Sequence, residues 1–429
     1  MMIMNKYAIC GLLMAAMSMQ VMAQGGTKSP YSQYGLGVLS DHSQAANRGM
    51  NGIGLAFRQS TLVNTLNPAS YSSVDSLTML FDVGMSLQTT NFKEGARKVN
   101  ANTASVEYAV ASFRLLPHVG MAFGILPLTN VGYDYAVSSY LDQTNGFMSE
   151  NYSGSGGLHQ AFIGAGWQPA SFLSVGANVA YLWGGYDRTV TTSGASNVAS
   201  LKRVYSANVN SYKIDLGLQL YKQLGMKDMA TLGATVGLGH KLGEDATLEQ
   251  INLGNADTTR FVAADAIELP MTYGVGFAWT HANKWMIGTD FSMQKWGNIG
   301  QATFDGSKYT IQKGLLSDRY ELKVGGEWVP NEASRSNFLK RIHYRLGAGY
   351  ATPYYKVNGQ DGPKEYSISA GLGIPLQNQW SAKGRLRPVL NISAQWLHAS
   401  VKDLITENTF RINVALTFNE RWFAKWKVE

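Results

Sequence analysis

Residues 77–88 read LTMLFDVGMSLQ, and this stretch decides the fold. Successive side chains of an extended chain alternate in direction. Leu77, Met79, Phe81, Val83, Met85 and Leu87 therefore share one face, and Thr78, Asp82, Gly84, Ser86 and Gln88 share the other. The pattern recurs along the chain. Leu173, Val175, Ala177, Val179, Tyr181 and Trp183 alternate with Ser174, Gly176, Asn178 and Ala180. Tyr212, Ile214, Leu216, Leu218 and Leu220 alternate with Lys213, Asp215, Gly217 and Gln219. Runs from Leu269 to Trp279 and from Phe410 to Phe418 repeat it. A soluble core does not place lysine and aspartate opposite the leucines of a strand. A transmembrane barrel does, because its apolar face meets lipid and its other face lines the lumen.

Counting outward from this stretch gives strands near 77–90, 103–115, 119–135, 158–168, 172–186, 203–221, 229–243, 264–280, 284–298, 316–330, 341–355, 364–377, 384–399 and 408–419. The total is about 14, an even number as single-chain bacterial barrels require. The fold class expected is all-β, a transmembrane antiparallel β-barrel. Short connections (Pro117-His118, Pro169 to Ser171, His281 to Asn283, and links near Gly225 and 331–340) alternate with the polar segments 136–157, 187–202, 244–263 and 299–315. The short ones read as periplasmic turns and the long ones as outer loops. Trp167, Trp183, Trp279, Trp285, Trp296, Trp328, Trp380 and Trp396 stand at strand ends, where aromatic girdles meet the membrane interface.

Composition agrees. The 429 residues are 45% hydrophobic but only 15% charged, with 46 glycines and 22 tyrosines, which excludes a disordered chain. After residue 23 no apolar run approaches the roughly 18 residues of a spanning helix. Lys6, the apolar run from Tyr7 to Ala16 and the small-residue site Val21-Met22-Ala23 read as a secretory signal peptide over 1–23, cleaved after Ala23. Cys10, the one cysteine, lies within it. The net charge of +7 is dispersed without a basic run, so a nucleic-acid partner is not expected.

Residues 24–76 lack the alternation yet carry Leu36, Val38, Ile53, Leu55, Phe57, Leu62 and Val63, which need burial. About 14 strands enclose an open lumen unless something fills it. The segment is expected to fold inside the barrel as a hatch; the alternative is a small periplasmic domain. The organisation expected is 1–23 signal peptide, 24–76 hatch or plug, 77–419 barrel and 420–429 periplasmic tail. Trp422 and Trp426 in that tail are spaced for a short interfacial helix.

Gly35 and Gly37, then 45–50 (AANRGM, ending at Gly49 and Met50) with Gly52, then Asn67-Pro68-Ala69-Ser70, resemble the start of the FadL/TodX family. Those proteins are outer-membrane transporters of long-chain fatty acids and aromatic hydrocarbons. Pro117 to Gly124, with Pro127, Gly132 and Tyr133, looks like the family's second hairpin and third strand. The resemblance covers the hatch and first three strands, and the rest by strand count. It implies a 14-strand barrel, a hatch whose rearrangement at Asn67, Pro68 and Ala69 opens the path, and lateral exit through a wall gap; with no phosphate loop or energy-coupling box in the sequence, passive uptake is expected. Gly120, Gly124 and Pro127 are the candidates for the gap strand, since glycine and proline ease a bulge or a broken ladder. The Asn67-Pro68 turn also has a purely local rationale.

The partners expected are a hydrophobic small-molecule substrate, outer-membrane lipid and lipopolysaccharide, and the barrel assembly machinery, with the protein a monomer in the outer membrane. Lys93, Arg97, Arg188, Lys202 and Arg203 are placed to meet a fatty carboxylate or lipopolysaccharide phosphates. A second reading is a PorV-like barrel, similar to this family, serving as a docking or shuttle subunit of a type IX secretion system. Enzyme chemistry is not expected. The seven histidines form no HExxH spacing, and 49–54 (GMNGIG) lacks a βαβ context. No catalytic residue, metal site, cofactor or phosphate loop is read from the sequence.

Overall fold

The computed structural model describes residues 27–76, 78–141, 146–194, 200–334, 336–376 and 388–421. Cys10, the cleavage site, Trp380, Trp422 and Trp426 lie outside them. Fourteen antiparallel strands run in chain order: β1 Thr78–Glu94, β2 Arg97–Leu116, β3 Val119–Pro127 continuing as Thr129–Leu141, β4 Gly146–Ala170, β5 Leu173–Gly194, β6 Leu201–Gln223, β7 Asp228–Gly237, β8 Thr272–His281, β9 Trp285–Gln294, β10 Arg319–Trp328, β11 His343–Ala351, β12 Lys364–Pro375, β13 Val389–Ser400 and β14 Thr406–Arg421. Each pairs with the next, and β14 returns to β1 through Thr78↔Arg421 to Lys93↔Thr406. The ring is closed, which leaves no edge along most of its circumference.

The alternation sorts as expected. On β1, Met85 and Leu87 are 51% and 58% exposed, whereas Asp82, Ser86 and Thr90 are buried. Exposed Val179, Tyr181, Leu216, Leu218, Val275, Ile287, Leu322 and Ile368 continue the apolar belt around the outside. Aromatic pairs mark its margins: Trp285 and Trp328 stack at 5.4 Å near the short turns, and Tyr181 stacks on Trp183 at 6.0 Å toward the other end. Among the described residues no helix is long and apolar enough to cross a membrane.

Two expectations about the connections are corrected. The segments 136–157 and 187–202, expected as loops, are mostly strand: β3 runs to Leu141, β4 begins at Gly146, β5 ends at Gly194 and β6 begins at Leu201. Their sequences are polar on both faces because both faces stand clear of lipid, which removes the apolar alternation but not the ladder. The segment 244–263 is a hairpin, Ala246–Asn252 with Thr258–Ala263, which adds to the β6 end through Ala246↔Ala207 to Asn252↔Leu201. The segment 299–315 holds a second hairpin, Gln301–Phe304 with Tyr309–Gln312. These outer connections fold together over a buried apolar cluster that includes Leu182, Val209, Leu248, Ile267, Trp296, Tyr354 and Tyr355.

Candidate functional site

The segment before β1 has little regular structure of its own, only short helical turns at Pro30–Gln33, Ala45–Arg48 and Pro68–Ser73. Asn67 caps the last of these. Proline at the following position holds Asn67 extended (φ −139°, ψ 109°), and its Oδ1 accepts from the Ala69 N–H at 3.1 Å. The Asn67 Nδ2 donates to Leu55 O (2.7 Å) and to Leu218 O on β6 (3.1 Å). Asn67, Pro68 and Ala69 are fully buried.

Wall glycines make room for this segment. A Cβ on Gly120 would lie 1.8 Å from Tyr71 O, and one on Gly217 2.2 Å from Asn67 Oδ1. Gly166 and Gly176 meet Pro68, Gly233 meets Leu55, Gly347 meets Met50 and Gly371 meets Gly49 in the same way. These positions lie on strands β3 to β7, β11 and β12, so the segment touches the wall on opposite sides of a closed ring and lies within it. Met50, Ile53 and Phe57 pack against Ala278 and Met286 of β8 and β9. Full burial of such side chains contributes about 1.5–3 kcal/mol each.

Polar anchors complete the fit. Asp290 on β9 accepts from the N–H groups of Gly54 (2.6 Å) and Leu55 (2.9 Å). Gln219 on β6 donates to Leu55 O and Phe57 O, and Gln395 on β13 donates to Asn51 Oδ1. Arg48 reaches Glu107 on β2 (3.0 Å) and Asn413 on β14 (2.9 Å). Glu107 sits at a bulge. Gly84 pairs with Tyr108 and Met85 with Val106, which leaves Glu107 without a ladder partner on β1, although the Ser86 hydroxyl donates to its carboxylate. Beside it, the Tyr108 hydroxyl donates to Asp82 (3.0 Å) and accepts from the Ala45 N–H (2.6 Å).

The wall is broken between β2 and β3. Their ladder ends at Ala109↔Ile125. Farther out, residues 97–108 of β2 pair with β1 alone, while Thr129 and Asn130 of β3 pair with Leu39 and Val38 of the inner segment. Inside lies a cavity of about 420 Å³ lined by Leu36, Leu39, Leu128, Leu269, Trp296 and Tyr354, and also by Glu107, Lys213, Asp215, Arg319, Glu321, Lys323, Glu365 and Arg411. Glu107, Thr129 and Asn130 border both the cavity and the break. The cavity charges are largely partnered: Lys213 with Asp215, Lys323 with Glu321, Arg319 with Glu321 and Glu365, Arg411 with Gln88. Asp41 and His42 also line it. Burial alone would raise the Asp41 carboxyl, but Arg48 and Lys323 hold it well below the usual range. Burial, reinforced by Lys213, pushes the His42 imidazole down to about 4, and its Nε2 has no hydrogen-bond partner.

Of the residues that the sequence points to, Gly35, Gly37 and Gly52 take positive φ, and Gly37 (φ +101°) also leaves no room for a Cβ, which would fall 2.5 Å from Asn130 O. Gly49 is right-handed (φ −64°) and packs on Gly371. Gly120 faces the inner segment. Gly124 pairs with Val110 at the last rungs before the break, and Pro127 lies just beyond them. Arg188 points inward instead of toward an outer phosphate, donating to Gly35 O at 2.7 Å. Arg48 lies within the 45–50 stretch, but nothing there singles it out, and Glu107, Tyr108, Gln219 and Asp290 carry no motif that sets them apart. Their one sequence signal is polarity on the lumen face. Among the described residues no group of His, Cys, Asp or Glu is placed to hold a metal.

Comparison with solved structures places the fold. A Pseudomonas aeruginosa FadL homologue aligns with a TM-score of 0.65 at 10% identity, over 89% of this chain and 99% of its own. The Pseudomonas putida toluene transporter TodX aligns at 0.60 and 18% identity, over 91% of this chain and 100% of its own. The Ralstonia pickettii toluene transporter TbuX aligns at 0.57 and 13%, over 89% and 99%. The barrel therefore has the fold of outer-membrane hydrophobic-compound channels, as the FadL/TodX resemblance implied. No curated protein matches the sequence. The model of one family, described as BamG, matches residues 2–429, and the chain belongs to the BamG family.

Proposed function

We propose that this outer-membrane barrel passes hydrophobic small molecules, such as long-chain fatty acids, by a passive route with lateral exit between β2 and β3. Residues 24–76 act as the hatch and 77–421 as the barrel, because Glu420 and Arg421, expected in the tail, still pair with β1, and the residues after Arg421 act as a periplasmic tail. The observation that carries the reading is the ladder break beyond Ala109↔Ile125, with Glu107, Thr129 and Asn130 at both the break and the cavity. Unpaired backbone is tolerated at membrane depth only beside protein or a cavity. Movement of the segment that holds Leu39 and Val38 against β3 widens the break. Rearrangement around Asn67, Pro68 and Ala69 is the proposed trigger. The test is uptake of a fluorescent fatty acid by vesicles containing the purified protein, with a cysteine pair at the cross-strand partners Val38 and Asn130 to lock the inner segment onto β3 and keep the break from widening. Uptake that is lost on oxidation and restored on reduction supports the route; uptake unaffected by the bond overturns it.

A second reading, a protein-docking subunit, is favoured by the cavity lining. Its charges are satisfied within the protein, and the apolar cluster of Leu248, Ile267, Trp296 and Tyr355 joins the outer connections above it. A greasy substrate needs a continuous apolar path. The same vesicles separate the readings, since a docking subunit gives no uptake before or after reduction.

A further inference from the structure

The hairpin joining β1 to β2 carries two cross-strand pairs at its tip. Glu94 is opposite Arg97, a matched pair, but Lys93 is directly opposite Lys98. Like charges opposite one another on a sheet are destabilising. Both lysines are exposed, and neither makes a salt bridge among the described residues.

The direction of these lysines follows from the register. Lys93 shares a face with Met85 and Leu87, which belong to the lipid-facing belt, and Lys98 is its cross-strand partner on that same face. The row continues around the barrel. Lys93 pairs with Thr406 of β14, and Lys364 of β12 pairs with Ser400 of β13. Lys364 is exposed and lies on the face of Tyr366 and Ile368, again part of the belt. On these five neighbouring strands the outer half of the lipid-facing surface holds three lysines and no Asp or Glu. Just inward of them come Tyr366, Trp396 and Phe410, exposed aromatics at the height of a membrane interface. Neighbouring strands are about 4.8 Å apart, so the row from Lys98 to Lys364 spans about 19 Å.

A cation row facing outward above an apolar belt meets the lipid headgroups of the outer leaflet. We infer that Lys93, Lys98 and Lys364 form a binding site for the phosphate groups of lipopolysaccharide, on the rim beside the wall break. A phosphate between Lys93 and Lys98 converts their repulsion into two charge-assisted contacts, while the acyl chains lie along Met85, Leu87 and Ile368. The site is independent of what the barrel carries.

The test uses the full mature chain in detergent, stripped of lipid and titrated with phosphorylated lipid A, dephosphorylated lipid A or inorganic phosphate, with binding followed by native mass spectrometry and thermal unfolding. Phosphorylated lipid A is expected to bind and raise the unfolding midpoint. Lys93→Gln with Lys98→Gln is expected to weaken that binding roughly thirtyfold, with a further loss of about fivefold on Lys364→Gln. Lys313→Gln, an exposed lysine on an outer connection, is the variant expected to leave binding unchanged. Because removing the lysines relieves the Lys93–Lys98 repulsion and breaks no salt bridge among the described residues, the unliganded variants are expected to keep or slightly raise the wild-type midpoint. Equal binding of dephosphorylated lipid A, or wild-type affinity in the double variant, overturns the assignment. Equal stabilisation by inorganic phosphate alone shows a general anion site and overturns the lipid assignment.

Discussion

The guanidinium of Arg48 lies 3.0 Å from the carboxylate of Glu107, joining the inner segment to the one β2 residue that the bulge leaves unpaired. Arg48 also holds Asn413 and the carbonyls of Ser43 and Asp41, so a single buried side chain ties the segment to β2 and β14. Removing one partner of a buried pair leaves the other charge uncompensated, at a cost of about 3–5 kcal/mol. Glu107→Ala and Arg48→Ala are each expected to loosen residues 41–52, read as faster hydrogen exchange there while the ring strands stay protected. Replacing both with apolar residues, Arg48→Met with Glu107→Leu, is expected to restore much of the protection. Equal exchange in all three variants and the wild type would show that the pair does not hold the segment.

The glycine contacts give a sharper steric test. Gly217→Ala places a methyl 2.2 Å from Asn67 Oδ1, and Gly347→Ala places one 2.3 Å from the Met50 carbonyl carbon. Overpacking of this kind costs about 1–3 kcal/mol. It falls on the inner segment, since the barrel strands are held by their own ladders. Both variants are expected to assemble into a heat-resistant barrel with the segment more open to protease. Gly225→Ala is the control, since a methyl there would meet nothing within 4 Å. Loss of the barrel itself in Gly217→Ala would mean that segment and wall fold as one unit.

The barrel is legible in the sequence because lipid imposes a strict rule on each strand: Met85, Leu87, Leu216 and Val275 must be apolar whatever their neighbours do. Where lipid ends, the rule ends. Residues 136–141, 146–157 and 187–194 continue the same ladders with Ser, Thr, Tyr and Asn on both faces and so read as loops. The inner segment is legible as material needing burial, and Asn67-Pro68 as a fixed turn. Its partners are not, because Arg48 and Asn413 are separated by 365 positions and no local periodicity links them. Gly120 illustrates the limit. Glycine marks a close approach, but only the fold reveals that Tyr71 of the segment is what approaches.

Asn67 serves three neighbours at once: the Ala69 N–H it caps, Leu55 O within the segment, and Leu218 O on the wall. Loss of an N-cap alone costs about 0.5–2 kcal/mol. Asn67→Ala with Pro68→Ala is expected to keep barrel assembly and surface level while changing fatty-acid uptake in vesicles. Asn67→Asp retains the cap but loses the donor to Leu218, so it separates capping from wall contact. Wild-type uptake in the double alanine variant at normal surface level counts against a gating role for this turn.

His42 makes the seating of the segment sensitive to acid. Burial, together with Lys213, lowers its pKa from 6.5 to about 4, so the folded protein keeps the ring neutral. Below pH 6.5 the unfolded chain binds the proton more readily than the folded one. The contribution is therefore complete above pH 6.5 and is lost progressively as pH falls toward 4. Between pH 7.5 and pH 5 the expected loss is about 2 kcal/mol, since each tenfold difference in proton affinity between the two states is worth about 1.36 kcal/mol. Denaturant unfolding of the detergent-solubilised protein at the two pH values measures it, with a fluorophore on the segment reporting local release. His42→Gln, which cannot titrate, is expected to flatten this part of the pH dependence. A slope that survives unchanged in His42→Gln assigns the acid sensitivity to another group and removes His42 from the account.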